Sequence, residues 1–298
     1  MSILSKTELA GQAVLFTDGS PRNRVSADEA LRPDLAGMPI FDAPVQAVAS
    51  AGDPMFERLR EPGVVGPCFR MPRAWLPGAR SVISFFLPFT EIVKKANRAD
   101  ADWPALEWLH ARIEGQMLIA ALCRRMEELL REAGHTALAP SLSSEFESWT
   151  GKKSCRPDGG RQGDGAPAFG SNWSERHVAH VCGLGTFGLS AGLITPKGMA
   201  GRFGSVLTDL ELPPDAREYD TFDAYCTRCG ACVLRCPAGA VSLEKGKDHV
   251  LCSAFLDRTA TAHKPRYGCG KCQTRVPCES AVPLRRLRMR RTPQASRA

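Results

Sequence analysis

Apolar positions fall into a few periodic runs separated by turn-forming stretches. Residues 79–87 (ARSVISFFL) are apolar, rich in β-branched and aromatic residues, and closed by Pro88, a pattern that predicts a buried strand. Over 104–134 the residues Leu106, Leu109, Ile113, Met117, Leu122, Met126 and Leu129 recur on one face, which predicts a long amphipathic helix. Pro104 suits its first turn and Gly134 its end. Residues 1–50 show no sustained period and contain the turn formers TDGSPRNR and RPDLAGMP, so they are expected to be loop-rich. Ser174 is placed to cap a short helix through Val181. The glycine loop GLGTFGLS follows, and AGLIT and RFGSVLTDL read as two strands joined by the turn PKGMAG. Residues 151–172 hold six Gly and few apolar residues, the composition of a long loop that serves either as a binding loop or as a surface insertion.

At 298 residues the chain has room for about two domains. Pro213 and Pro214, followed by the acidic stretch DAREYDTFDAY, mark the expected boundary. No apolar run approaches the roughly 20 residues of a membrane span. The first residues lack a basic leader, a long apolar segment and a twin-Arg pair. A cytoplasmic protein without a membrane partner is therefore expected. The net charge is +7, but residues 285–298 carry six Arg and no acid, and without them the balance is +1. The excess thus describes an Arg-rich tail, read as a solubilising end in preference to a phosphate-binding one.

Cysteine changes the picture more than charge does. Eight of the twelve Cys fall between 226 and 278, and in a reducing compartment such a cluster points to metal. CTRCGACVLRCP places Cys226, Cys229, Cys232 and Cys236 in the Cys-x2-Cys-x2-Cys-x3-Cys-Pro run of bacterial ferredoxins, in which the fourth Cys serves another cluster. Cys252, Cys269, Cys272 and Cys278 lie downstream. Ferredoxin logic assigns Cys226, Cys229, Cys232 and Cys278 to one [4Fe–4S] cluster and Cys236, Cys252, Cys269 and Cys272 to a second. A zinc module is the competing reading, but its separated Cys pairs do not match this spacing. Cys278 is preceded, not followed, by a proline. Of the remaining four, Cys123 is expected in the core of the long helix, Cys155 sits beside Lys152, Lys153 and Arg156, Cys182 abuts the glycine loop, and Cys68 has no distinguishing context.

Gly183-x-Gly185-x-x-Gly188 matches a dinucleotide fingerprint by letter, but that pattern carries meaning only between a strand and a helix. Here helical residues precede it, while Gly192 and Pro196 follow. Two readings stay open: a loop that lets backbone approach a large ligand, and a tight helix-to-strand turn.

GLGTFGLSAGLIT, then RFGSVLTDLEL, then the cysteine run and a distal YGCGKCQ resemble the epoxyqueuosine reductase superfamily, to which reductive dehalogenases are more distantly related. The resemblance spans roughly residues 75–283. It implies an α+β protein, with a nitroreductase-like α/β cofactor and substrate domain over 1–212 and a small dicluster ferredoxin-like domain over 213–284, followed by the tail 285–298. It implies base-off cobalamin lined by residues 183–205, with Gly183, Gly185, Thr186, Gly188, Thr195 and Arg202 as the positions carried over. A flavin is the alternative cofactor. The family's helical-repeat extension has no counterpart in this sequence, and its proposed acidic proton donor aligns with Phe169 if Glu175 marks the Glu after it, so tRNA is not the expected substrate.

Glu175, His177 and His180 cluster before the loop and are the candidate acid–base groups. Helix capping and surface contact are the competing account, and the favoured one. Trp149 and Trp173 flank residues 151–172 and suit either packing or stacking on a ligand. The expected activity is an iron–sulfur oxidoreductase. It takes electrons from a soluble donor such as ferredoxin or flavodoxin and passes them through two clusters to a cofactor, cobalamin first, that reduces a small electrophilic substrate. A non-enzymatic ferredoxin-type carrier and a tRNA epoxyqueuosine reductase are the alternatives.

Overall fold

The computed structural model describes residues 4–150 and 169–284. The sequence reading of Cys155 and its basic neighbours, most of the glycine-rich stretch, and the Arg-rich tail lie outside the described residues.

A four-stranded antiparallel sheet organises a mixed helix-and-sheet chain. Its order is Val45–Ser50, Ser81–Pro88, Gly201–Thr208, Ala137–Leu138. Every residue of Ser81–Pro88 is buried, because both faces of the sheet are covered. Alternate residues divide the strand between two cores. Ile83, Phe85 and Leu87 join Val48 and Val206 beneath the helices Lys6–Gly19 and Leu106–Glu132. Val82 and Phe86 join Ala47, Ala49 and Leu207 beneath Phe56, Phe69, Trp173 and the short helix Glu175–Val181.

The long helix forms over Leu106–Glu132, two residues inside each predicted end. Its buried face differs from the predicted one. Trp108, Ala111, Gly115, Leu118, Ile119, Leu122, Met126 and Leu130 are buried, whereas Met117 is 44% exposed. Small residues at 111 and 115 let this face approach its neighbours closely, which a count of large apolar residues cannot detect. Cys123 is fully buried in this core, as its position in the helix predicts.

Two expectations are corrected. Residues 1–50 are not loop-rich: a helix spans Lys6–Gly19 and an edge strand Val45–Ser50. A reciprocal Ser5–Glu8 capping box starts that helix. It buries only Leu9, Ala13 and Thr17, too narrow a stripe to register as a period. AGLIT and RFGSVLTDL are likewise not one hairpin. Leu193–Ile194 pairs with Thr186–Phe187, while Gly201–Thr208 pairs with Ser81–Pro88. Only a Thr195–Gly198 bridge remains at the predicted turn.

The cysteine-bearing region packs directly on the sheet. Met199 N–H donates to Cys278 O at 3.0 Å, and Ala200 N–H to Glu279 O at 3.2 Å. Gly198 precedes them at φ +78°, where a Cβ would come within 2.2 Å of Glu279 O. Lys271 is fully buried and donates to Asn97 O at 2.9 Å and Asp100 O at 3.0 Å. Asn97 Nδ2 in turn donates to Cys269 O at 3.1 Å. Arg266 is ion-paired with Glu114 of the long helix, both nearly buried. No helix among the described residues is long and apolar enough to cross a membrane.

Removing one partner of a buried pair costs about 3–5 kcal/mol, against 0–1 for an exposed one. Arg266→Ala is therefore expected to lower unfolding stability by about 3 kcal/mol or more. Arg80→Ala, which breaks an exposed pair with Glu211 at 2.9 Å, should cost under about 1 kcal/mol. Denaturant titration of both variants checks this, and equal losses would contradict it.

Candidate functional site

The eight clustered thiols surround two cavities. Cys226, Cys229, Cys232 and Cys278 line one, with Gly188, Leu189, Ser190, Ile194, Val276 and Pro277. Cys236, Cys252, Cys269 and Cys272 line the other, together with Phe89, Trp108, Arg112, Arg202 and Lys247. Local geometry explains the first grouping. Gly230 at φ +77° starts a single helical turn over Ala231–Leu234 that swings Cys232 back toward Cys226 and Cys229, and the chain returns from Val276 to place Cys278 opposite. Cys236 follows that turn and faces the other cavity, where the helix His249–His263 supplies Cys252.

The electrostatics follow the same division. Burial pushes the Cys278 thiol up to about 12, with Cys232, Cys226 and Cys229 adding to the shift. Burial likewise pushes Cys269 up to about 12, and there Cys272, Cys252 and Cys236 are the neighbours. Cys232 is pushed up to about 11 by burial and then by Cys272 of the other set, so the two sets abut at that pair. Backbone also serves the sulfurs: Ala240 N–H donates to Cys236 Sγ at 3.2 Å.

Among the described residues no three Cys, His, Asp or Glu converge as ligands of a single metal ion. A tetrahedral zinc with bonds of about 2.3 Å needs its sulfurs roughly 3.8 Å apart. Each cavity is lined by four thiols, which is the donor set of a [4Fe–4S] cluster. The residues present therefore fit [4Fe–4S] ligation in the number and type of their donors.

The glycine loop fits a cofactor less well. Gly185 is required by packing: a Cβ there would stand 2.0 Å from Ile194 O. Thr186 is fully buried, and its Oγ1 accepts Tyr225 N–H at 2.8 Å. Thr195 is fully buried, with its hydroxyl donating to Gly198 O at 2.8 Å. Gly183 turns the chain at φ +97° beside Ala216 O. Of the six positions expected to line a corrin, Gly188 borders the first thiol cavity and only Arg202 borders the second. The close approach that the glycines permit is to the protein's own backbone. The residues of this loop are engaged by the protein itself and do not present a corrinoid lining.

The acid–base candidates do not converge. His180 is buried between Tyr219 and Phe222, with ring centroids at 4.9 and 4.5 Å. Its Nδ1–H donates to Gly185 O at 2.7 Å, which fixes the loop. His177 pairs through Nδ1 with Ser174 Oγ at 2.7 Å, so the Ser174 hydroxyl serves His177 and caps no backbone amide. Burial, then Arg176 and His180, lower His177 to about 3. Glu175 Oε2 accepts Ser205 Oγ–H at 2.6 Å, while Ser205 accepts Trp173 Nε1–H at 2.9 Å. Trp173 is thereby a core residue, stacked on Phe69. None of the three candidates borders either thiol cavity. Phe169 lies in a strand paired with Ser148–Thr150 and stacks at 5.8 Å on His249.

The sequence reading missed Arg112, Trp108, Phe89, Lys247 and His249. Trp108 and Arg112 stand one helical turn apart, and an Arg on an otherwise apolar stripe was the available signal. Cys182 is buried with its thiol toward Val82 O, a packing residue. Cys68 is disulfide-bonded and packs with Trp149.

No protein-family model matches the chain. An epoxyqueuosine reductase of Bacillus cereus is 32% identical over 114 residues, covering 35% of this chain and 29% of that protein. One of Vibrio cholerae is 28% identical over 155 residues, covering 48% and 38%. The matches thus span about a third of those relatives' length. Among solved structures, a catabolic reductive dehalogenase aligns with TM-score 0.51 at 14% identity over 93% of this chain and 37% of its own. A dehalogenase described through B12-dependent dehalogenation aligns at 0.50, with 15% identity, over 80% and 30%. The relatives in sequence and the neighbours in fold are members of the superfamily that the motifs resemble.

Burial raises Glu175 from 4.5 to about 7, against the opposing hydrogen bond from Ser205. The folded state thus holds this proton more tightly than the unfolded one. The associated stability is complete below about pH 4.5 and is lost as pH rises toward 7. The thermal midpoint of the wild type relative to Glu175→Gln should therefore fall between pH 5 and 7.5. A difference that stays constant over that range would contradict the assignment.

Proposed function

We propose that this chain is an iron–sulfur oxidoreductase. In this reading Cys226, Cys229, Cys232 and Cys278 hold one [4Fe–4S] cluster, and Cys236, Cys252, Cys269 and Cys272 hold a second. The observation that carries the proposal is the arrangement of the eight thiols in two fours around two abutting cavities. Reductase relatives support the reaction class. The segment shared with them is short, so their own substrate does not come with it.

The chain's residues give the transfer a direction. Cys229 is exposed, and beside its run Leu234 is 90% exposed, so a soluble donor of the ferredoxin or flavodoxin class meets the first set. Cys232 and Cys272 connect the sets. The second set is more enclosed, and Phe89, Trp108, Arg112 and Arg202 line the same cavity, so electrons leave the second cluster on the side of that wall. That wall excludes water from the second set and presents cations to whatever is reduced. A corrinoid is the cofactor that the resemblance and the B12-dependent neighbour support; when bound, it supplies a metal that carries electrons to an electrophilic substrate. The roles of the protein's own residues do not depend on it.

A ferredoxin-type carrier is the second reading, and one observation favours it: Gly185, Thr186 and Thr195 are consumed by internal packing. The cationic cavity beside the second set, which a carrier would not need, favours the enzyme.

Anaerobically purified protein is expected to carry about eight iron and eight acid-labile sulfide per chain. Cys272→Ala and Cys278→Ala should each lose about four iron, each leaving the other cluster's signal in the reduced spectrum. One or two zinc without sulfide would overturn the proposal. Absorption bands beyond those of iron–sulfur clusters after reconstitution with cobalamin would favour the enzyme over the carrier.

A further inference from the structure

The two thiol cavities differ in the charge of their walls. Arg112, Arg202 and Lys247 line the second, each half-buried, and no Asp or Glu lines it. Arg176 of the short helix Glu175–Val181 also stands close enough to act on Cys272 and Cys252. The first cavity has one cation, Arg228, in a wall that is otherwise uncharged and includes Leu189, Ile194 and Val276. Arg228 is exposed, and its Nη2 donates to the carbonyl of Leu243.

The fold holds the cations of the second wall in place. Arg202 Nη2 donates to Gln116 Oε1 at 2.6 Å, Arg176 Nη1 donates to Ala191 O at 2.9 Å, and Arg112 lies 4.2 Å over the Tyr267 ring. These partners are neutral, so they fix the positive charge without cancelling it. The sulfurs are treated differently too. In the second set Cys236 Sγ accepts Ala240 N–H at 3.2 Å. In the first, Cys278 Sγ lies 3.2 Å from the thioether of Met199, which has no proton to give. Met199 is buried there with Ile194 and Val276.

A [4Fe–4S] cluster on four thiolates is an anion, and one-electron reduction adds a further negative charge. Net charge, hydrogen bonds to sulfur and solvent exposure set its potential. Cations and N–H donors favour the reduced form, and so does water at the exposed Cys229. A fixed, half-buried charge acts through a medium of lower dielectric than water and is screened less. Three such charges on one wall therefore outweigh the exposure of one ligand on the other.

We infer that Arg112, Arg202 and Lys247 make the second cluster the easier of the two to reduce, so that an electron delivered at the first set comes to rest on the second. This rests on the proposed iron–sulfur reading and adds the order of the two potentials. The soluble donor is oxidised by one electron and the second cluster is reduced by one; no bond forms or breaks and no proton moves.

The test is a redox titration of the anaerobic holoprotein followed by electron paramagnetic resonance, with iron counted first. Cys278→Ala leaves the second cluster and Cys272→Ala the first, so each midpoint is read alone. The second is expected to lie higher by at least a tenfold preference, about 59 mV for a one-electron couple. In the full protein, Lys247→Gln and Arg202→Gln should each lower the higher midpoint and leave the lower one in place. Lys247→Arg should restore it, and Arg80→Gln on the surface should move neither. The two Cys variants decide the order even where a wall variant loses iron. Equal or inverted midpoints, or a higher midpoint indifferent to both wall variants, would overturn the inference, while eight iron per chain leaves the iron–sulfur reading standing. Zinc in place of iron overturns both.

Discussion

Eight thiols withdrawn from water around two shared volumes are the constraint on which the rest of this structure turns. Burial holds Cys232, Cys269 and Cys278 well above the ordinary thiol range, and neighbouring thiols add to the shift at each of these three. A metal cluster needs them as thiolates. Cluster binding therefore releases protons and supplies the charge compensation that the folded protein alone lacks, which couples metal loading to stability. Lys247 and Arg176 supply a smaller part of that compensation from the protein side.

The seam between the sheet and the cysteine region is built to hold those sulfurs in place. Backbone carbonyls at Cys278 and Glu279 accept from the sheet connection, Lys271 is buried in the turn after Asn97, and Arg266 reaches the long helix. None of these contacts is local in sequence. The strand Ser81–Pro88, buried on both faces, fixes Phe89 at its end, and its neighbour Gly201–Thr208 carries Arg202. The same sheet that makes the core thus sets the wall of the second cavity, and the wall is cationic where the thiols are not.

Features set by short-range pattern were legible in the sequence. A continuous apolar run closed by Pro88 gave the central strand and a recurring apolar face gave the long helix, while the Cys spacing suggested the two sets of four that line the two cavities. Features set by long-range pairing were not. RFGSVLTDL pairs with a strand some 120 residues earlier, so its hairpin with AGLIT was a misreading of proximity in sequence. The first helix has too narrow an apolar stripe to show a period. The glycine loop matched a ligand-binding pattern by letter, yet Gly185 answers to Ile194 O. The guanidinium cluster draws on positions 112, 176 and 202, which only the fold brings together.

The central claim is that two iron clusters occupy two neighbouring thiol cavities. Anomalous diffraction at the iron absorption edge, from crystals grown without oxygen, tests it most directly. The account predicts two separate compact peaks, one among Cys226, Cys229, Cys232 and Cys278 and one among Cys236, Cys252, Cys269 and Cys272. A single peak, a peak pair that mixes the two sets, or signal at the zinc edge instead would contradict it.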